Sequence, residues 1–98
     1  MRTMMKITLP VATGTRAIRD GSLPRLIQGT LDTLRPEAAY FYVDNGRRTS
    51  LLVFDLKDPT QIPAVCEPLF MGVDAEIQLI PVMNAQELQA GLGQMPSL

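Results

Sequence analysis

The side chains in this sequence that could do chemistry occupy alternate positions of three predicted strands. Lys6 and Thr8 share the first strand, Tyr40 and Tyr42 share the second, and Glu76 lies on the last. Alternate residues of a strand point to the same face of a sheet. An amine, a carboxylate and several hydroxyl groups would therefore converge on one sheet face, where they could contact the carbonyl or phenol group of a small organic ligand.

The same residues also fit a purely structural interpretation. Lys6 and Glu76 lie on strands expected to be neighbours, and a cross-strand ion pair worth about 0.2–1 kcal/mol would account for both. Buried tyrosine hydroxyls usually find a local hydrogen-bond partner. We therefore treat Lys6, Thr8, Tyr40, Tyr42 and Glu76 as candidate ligand-binding residues, and we predict no catalytic residue.

Missing residue types exclude several kinds of chemistry. The chain has no histidine, which excludes Ser–His and Cys–His nucleophile pairs, histidine metal ligands and a proximal histidine for haem. The single cysteine, Cys66, lies on the apolar stripe of a predicted helix, where a thiol behaves as a small hydrophobic group. The six methionines are scattered and lack a paired cysteine motif. We expect no cofactor and no metal ion.

Composition predicts one small folded domain that spans residues 1–98. The chain is 46% hydrophobic and 19% charged, and its nine basic and ten acidic residues create no field that would attract nucleic acid. Arg47 and Arg48, at a hairpin tip, are expected to be solvated. A single cysteine and the lack of a signal-peptide pattern favour the cytoplasm, and no apolar run approaches the roughly 20 residues that span a membrane.

Hydrophobic periodicity predicts a strand and a helix in the first part of the chain. Met5, Ile7 and Leu9 give the strand one apolar face, and it should end near Pro10. A loop is expected at residues 13–15, followed by a short turn at residues 16–20. From residue 23 to residue 34 the apolar side chains have the three- and four-residue spacing of an amphipathic helix, which Ser22 could cap.

Residues 39–56 resemble two strands joined by Asn45-Gly46, a loop that suits a type I′ turn because both positions need positive φ. That loop places Tyr42 opposite Thr49 and Tyr40 opposite Leu51. The resulting register divides the hairpin into two faces. The predicted core face holds Ala39, Phe41, Val43, Ser50, Leu52, Phe54 and Leu56, and the other holds Tyr40, Tyr42, Thr49, Leu51, Val53 and Asp55.

The rest of the chain predicts a second helix, a last strand and a short terminal helix. The second helix should be capped by Thr60, kinked or split at Pro68 at a cost of about 3 kcal/mol, and ended by Gly72. After the strand, Asn84 and Glu87 resemble a capping box. The terminal helix would be marginal by itself, so we expect it to dock on another surface.

This order of elements matches the ferredoxin-like βαββαβ arrangement of the α+β class. Right-handed crossovers would place both main helices on one face of a four-stranded antiparallel sheet, with the first and third strands central. The opposite face carries too many large apolar side chains for a wetted sheet. We therefore expect a homodimer through this face, in which two sheets pack into a barrel-like pair; the alternative is a monomer.

The stretches "GSLPRLIQ", "PEAAYFY", "DPTQIPAVCEPLF" and "PVM" together resemble a family of small bacterial proteins of unassigned activity that is related to the dimeric α+β barrel superfamily. The resemblance covers most of the chain. It implies a ferredoxin-like protomer that pairs sheet to sheet, as its relatives often do. Activities in the superfamily range from cofactor-free monooxygenases and isomerases to haem-dependent enzymes, and the resemblance brings no catalytic motif with it.

Three functions remain open from the sequence. The favoured one is a non-catalytic homodimer that binds a small apolar or aromatic molecule between its sheets. The second is a cofactor-independent isomerase or monooxygenase that uses Tyr40, Tyr42, Lys6 or Glu76 for proton transfer. The third is a regulatory or scaffold module, which requires a filled and dry interface.

Overall fold

The computed structural model describes residues 1–97, which form a four-stranded antiparallel sheet and four helices. The strands are β1 (Arg2–Thr8), β2 (Ala38–Asp44), β3 (Arg47–Asp55) and β4 (Glu76–Pro81), and the helices are α1 (Val11–Arg19), α2 (Ser22–Leu34), α3 (Ile62–Val73) and α4 (Ala85–Gly93). The strand order is β2-β3-β1-β4, so the first and third strands are central, as predicted. This α+β arrangement is compatible with a ferredoxin-like fold.

The hydrophobic core lies between one sheet face and the first three helices. Met5 of β1 and Leu52 of β3 are opposite each other in the ladder, and both are buried with Val73 of α3. Burying each such side chain contributes about 1.5–3 kcal/mol to folding. The buried cluster consists of Met5, Ile7, Leu9, Ala17, Leu23, Leu52, Phe54, Leu56, Leu69, Val73 and Ala75.

The β2–β3 hairpin has the predicted turn and register. Asn45 and Gly46 have φ angles of 51° and 75°, the positive values that a type I′ turn requires. Tyr42 pairs with Thr49, and Tyr40 pairs with Leu51. The turn therefore fixes which hairpin side chains face the helices and which face away from them.

The loop predicted at residues 13–15 is wrong, because α1 runs through it. Arg48 of β3 crosses this helix and donates hydrogen bonds to the carbonyl of Val11 at 3.2 Å and to Thr15 Oγ1 at 3.3 Å. A Cβ atom at Gly14 would lie 3.0 Å from Arg48 Nη1. These tertiary contacts override the weak local helix preference of glycine and threonine. Arg48 is therefore partly buried and bonded, not the solvated charge predicted from the sequence.

The second main helix is not split at Pro68. Pro68 lies inside α3, which continues past Gly72 and ends where Asp74 adopts a left-handed conformation with φ 53°. The proline removes one backbone hydrogen bond from the helix. Cys66 and Leu69 flank it and are both buried, so packing against the sheet holds the helix together.

Two helix starts differ slightly from the prediction. A 3-10 turn at Pro59–Gln61 leads into α3, and its cap is Asp58, whose Oδ1 accepts the backbone N–H of Thr60 at 2.8 Å. At α2, Ser22 is the first helical residue, and its N–H donates to Asp20 Oδ1 at 2.8 Å. In both cases an aspartate provides the acceptor that the sequence pattern assigned to a hydroxyl residue.

Strand β2 forms one edge of the sheet and is exposed on both sides. Phe41 and Val43 belong to the predicted core face, yet 54% and 73% of their surface is exposed. The helices cover β1 and β3 and leave this edge open. Tyr40 and Tyr42 are exposed on the other side of the same strand. The middle of β2 therefore presents apolar surface in both directions.

Helix α4 begins at the predicted capping box and stands apart from the core. Asn84 Oδ1 accepts the N–H of Glu87 at 2.8 Å, and Glu87 Oε1 accepts the N–H of Asn84 at 2.9 Å. Arg2 of β1 donates to the same Glu87 carboxylate and ties the first turn of α4 to the sheet. No side chain of α4 is buried, and the molecule is elongated, with extents of 57 × 28 × 17 Å.

Candidate ligand-binding site

All five candidate residues lie on the sheet face that points away from α1–α3, which we call the open face. The ladders place Thr8 between Thr49 and Glu76 on the neighbouring strands. They place Lys6 between Leu51 and Gln78. The open face contains Arg2, Met4, Lys6, Thr8, Ala38, Tyr40, Tyr42, Asp44, Arg47, Thr49, Leu51, Val53, Asp55, Glu76, Gln78 and Ile80.

An ion pair crosses the open face above β3. Lys6 Nζ of β1 lies 2.7 Å from Asp44 Oδ2 of β2. Lys6 is level with Leu51 and Asp44 is level with Arg47, so a line between them passes over Thr49. Thr49 is accordingly only 3% exposed, although it lies on the uncovered side of the sheet.

This ion pair also stabilises the charged form of the amine. The hydrogen bond that Lys6 donates to Asp44, followed by the negative charge of Asp44, raises the pKa of Lys6 above its ordinary value of 10.5. A lysine that stays charged at neutral pH can donate hydrogen bonds but cannot accept a proton. Lys6 is therefore suited to binding a ligand oxygen and unsuited to general-base catalysis.

The predicted ion pair between Lys6 and Glu76 is wrong. Glu76 is level with Thr8, one pair further along the strands than Lys6, and its carboxylate lies 3.7 Å from Arg47 Nη1. Asp44 competes successfully for Lys6 because the hairpin turn holds it on the same face. The two pairs leave this end of the open face with balanced charge.

A polar recess of about 340 Å³ lies at the hairpin end of the open face. Of the candidate residues, it brings together Lys6, Thr8 and Glu76. Tyr40 and Tyr42 do not line it; they lie beside it on β2. The lining residues are Lys6, Thr8, Asp44, Asn45, Arg47, Glu76, Ile77 and Gln78.

Sequence reasoning did not select five of the residues that line this recess, Asp44, Asn45, Arg47, Ile77 and Gln78. A signal for Asp44 and Arg47 was present, because Asp44 is two residues from Tyr42 and Arg47 is two residues from Thr49, so strand alternation places both on the open face. The position of Arg47 at a hairpin tip suggested a solvated charge. The Lys6–Asp44 contact depends on the register between β1 and β3, which no local pattern specifies.

Beyond the recess, the middle of the open face is apolar. Tyr40 is opposite Leu51, and Val53 follows on β3. Tyr40 is 64% exposed, Leu51 and Val53 are half-buried, and Ile80 of β4 is exposed. The open face thus combines hydrogen-bonding groups at one end with an adjacent aromatic and aliphatic surface, which is the composition of a site for a small organic molecule.

The space between the helices and the sheet is too small to be the site. A cavity of about 30 Å³ lies between α2, α3 and the sheet, bordered by Leu31, Phe41 and Leu52. That volume is roughly the share of one water molecule in the liquid. Larger recesses, of about 250 Å³ between α2 and α3 and about 400 Å³ between α2, the end of β3 and the start of α3, lie outside the open face.

Cys66 and the acidic residues do not form a second site. Cys66 is buried in α3, and desolvation raises its pKa above 9.0, so the reactive thiolate is disfavoured. Within residues 1–97, no three His, Cys, Asp or Glu side chains are grouped closely enough to hold a metal ion.

Comparison of the chain with known protein families, with curated proteins and with solved structures finds no match in any of the three. In the part of the chain that the structure describes, no helix has both the length and the apolar composition needed to cross a membrane.

Proposed function

We propose that the chain is a ferredoxin-like protomer of a sheet-to-sheet homodimer that binds a small apolar or aromatic molecule between its open faces. The observation that carries this proposal is the uncovered apolar middle of the open face, with Tyr40, Leu51 and Ile80 beside a polar recess.

The polar recess limits the kind of ligand. Lys6 is paired with Asp44, and Arg47 is paired with Glu76, so neither positive charge is free to select an anion. A neutral group such as a carbonyl or a phenol could accept from the Lys6 ammonium or donate to a carboxylate without breaking either pair. Its apolar body would then lie over Tyr40 and Leu51, away from water.

The positive charge on Lys6 favours a role in ligand binding over a role as a catalytic base. Proton abstraction requires a neutral amine or another free base in the recess. The carboxylate of Asp44 holds the amine in its charged form. A ligand-binding role uses this ammonium as it stands, whereas an isomerase or monooxygenase with Lys6 as its base would first have to separate the pair.

The test is a fluorescence titration with 2-naphthol, an aromatic phenol, together with sedimentation of the same samples. Wild type should bind 2-naphthol saturably, and Leu51→Lys should lose both binding and dimerisation because it places a charge in the sheet interface. Met71→Lys is the matched control, since it introduces the same charge at an exposed residue of α3. Absence of saturable binding to wild type, or equal binding by Leu51→Lys, would overturn the proposal.

A further inference from the structure

A groove lies between α2 and α3, which cover the opposite side of the sheet from the candidate site. It consists of two recesses, of about 250 Å³ and about 400 Å³, which share Thr33, Leu34, Ala64 and Val65. Because these four residues border both recesses, the two spaces are continuous, and we call them together the helix groove. Their combined size falls within the roughly 300–1,000 Å³ of pockets that hold small organic ligands.

The floor of the helix groove is apolar. Leu26 and Leu34 of α2 and Val65 of α3 are half-buried, and Phe54 of β3 is buried at one end. Eight residues of helix separate Leu26 from Leu34, a length of about 12 Å. An extended aliphatic chain laid along this floor would be removed from water on one side.

The helix groove is open because the two helices do not pack closely along their whole length. A Cβ atom at Gly72 of α3 would lie 3.2 Å from Leu26 Cδ2 of α2, so the helices are in close contact there. A Cβ atom at Gly29 would meet no atom within 4 Å, and the residue that α3 contributes to both recesses is the small Ala64. The space beside these two residues is therefore unfilled by the chain itself.

Two cations border the wider recess. Arg35 lies at the C-terminal end of α2 and Lys57 follows β3, and no ion pair within residues 1–97 involves either of them. The one acidic residue among the described lining residues is Asp55, which binds the terminal amine of Met1 at 2.6 Å. An anion at this end would therefore meet two positive charges that have no carboxylate partner.

The opposite end of the helix groove does not repeat this arrangement. Arg25 borders the narrower recess, but a Cβ atom at Gly21 would lie 3.6 Å from its Nη1 atom, so the guanidinium is directed toward the start of α2. The groove is thus cationic at one end and apolar along its length. This polarity fits a ligand with one anionic head and one apolar chain.

We propose that the helix groove binds an anionic amphiphile, an unbranched carboxylate whose head lies between Arg35 and Lys57 and whose chain lies along Leu34, Val65 and Leu26. The observation that carries the proposal is the pairing of two unpartnered cations with a continuous apolar groove. The site does not depend on the proposed homodimer, because it uses the helices and not the apolar middle of the open face.

An NMR titration of the full chain with decanoate tests the site, with decylammonium as the ligand of the same chain length and opposite charge. Amide shifts of residues 29–35 and 61–68 should move saturably with decanoate, below the concentration at which it forms micelles. Decylammonium should bind about tenfold more weakly, as expected when two partly exposed charge contacts are lost. The difference should narrow as salt is added, because salt screens exposed charges.

Variants assign the head and the chain of the ligand. Arg35→Asn and Lys57→Gln should each weaken decanoate binding about fivefold. Asparagine tolerates the left-handed backbone of residue 35, where φ is 45°. Arg19→Gln is the matched control, because Arg19 is an exposed arginine of α1 that lines neither recess. Ala64→Trp fills the junction of the two recesses from an exposed position and should abolish binding.

Several results would overturn the proposal. These are no saturable shift, equal binding of decanoate and decylammonium, or unchanged decanoate binding in Ala64→Trp or in both charge variants. Shifts confined to the open face would assign decanoate to that face instead. Groove shifts that move with protein concentration alone would show that a second copy covers the groove, and would also overturn it.

The two proposed sites can fail separately. Leu51→Lys should lose 2-naphthol binding and keep decanoate binding, whereas Ala64→Trp should do the reverse. Loss of decanoate binding in Leu51→Lys would mean that the helix groove is not an independent site.

Discussion

Lys6 and Asp44 form a 2.7 Å ion pair that spans the full width of β3 and buries Thr49 beneath it. The contact joins the two strands that flank β3, although they are not neighbours in the sheet. It explains both the raised pKa of Lys6 and the presence of a nearly inaccessible threonine on an uncovered face.

Replacing Asp44 with Asn should lower the pKa of Lys6 toward 10.5, because the neutral amide no longer favours the ammonium. Because the pKa of Lys6 is higher in the folded state, the ion pair stabilises the protein at pH values below 10.5. This contribution is lost as the pH rises through the folded-state pKa, which lies above 10.5. The stability difference between wild type and Asp44→Asn should therefore disappear at high pH. NMR titration of the Lys6 Cε resonance measures the pKa.

Asp32→Asn is the control for this change, since that carboxylate bonds to Gln28 on α2 and is far in sequence from the recess. It should leave the Lys6 titration unchanged. An identical Lys6 pKa in wild type and Asp44→Asn would contradict the ion pair.

Glu87 should make the start of α4 sensitive to acid. The N–H of Asn84, followed by the charge of Arg2, lowers the pKa of Glu87 below its ordinary 4.5. Because the pKa of Glu87 is lower in the folded state, its ionised carboxylate stabilises the helix above pH 4.5. That contribution is lost as the pH falls through the folded-state pKa, which lies below 4.5. Carbon chemical shifts of residues 85–90 should report progressive loss of helix over that range.

Variants separate the two roles of this side chain. Glu87→Gln keeps the oxygen that accepts from Asn84 and loses the charge that Arg2 binds, whereas Glu87→Ala loses both. At neutral pH the helix content of α4 should decrease from wild type to Glu87→Gln to Glu87→Ala. Equal helix content in all three proteins would show that the capping box does not hold α4.

Gly29→Ala should raise the free energy of unfolding by about 1 kcal/mol, because alanine is the better helix former. A Cβ atom at Gly29 would meet no atom within 4 Å. Gly72→Ala should gain less or lose stability, since its Cβ would lie 3.2 Å from Leu26 Cδ2. Urea denaturation of both variants checks the difference, and an equal gain would mean that α3 does not pack on α2 as closely as described.

Leu69→Ala should lower the free energy of unfolding by about 2–5 kcal/mol, because the side chain is buried between α3 and the sheet. Met71→Ala, two residues along the same helix, should change it by about 0.5 kcal/mol or less, since Met71 is exposed. Chemical denaturation of the pair measures this contrast. Similar losses in both variants would place the core on the wrong side of α3.

The hairpin shows what sequence can predict for this chain. Asn45-Gly46 requires positive φ at both positions, and this one local constraint sets the register of every pair from Asp44–Arg47 to Tyr40–Leu51. The capping box of α4 was predictable for the same reason, because its two hydrogen bonds join residues only three apart. Local chemistry decides both features.

The errors have non-local causes. Helix α1 depends on Arg48, which is more than thirty residues away along the chain and bonds to Val11 and Thr15. The exposure of Phe41 depends on how far the helix layer extends toward β2, which the alternation of that strand cannot reveal. In the recess, the choice of Asp44 over Glu76 as the partner of Lys6 likewise depends on the register of the assembled sheet.

The most direct test of the central claim is equilibrium sedimentation of wild type over a micromolar concentration series. We predict the mass of two chains, decreasing toward one chain only on dilution, because a second sheet removes Tyr40 and Leu51 from water. The mass of a single chain at every concentration would contradict it.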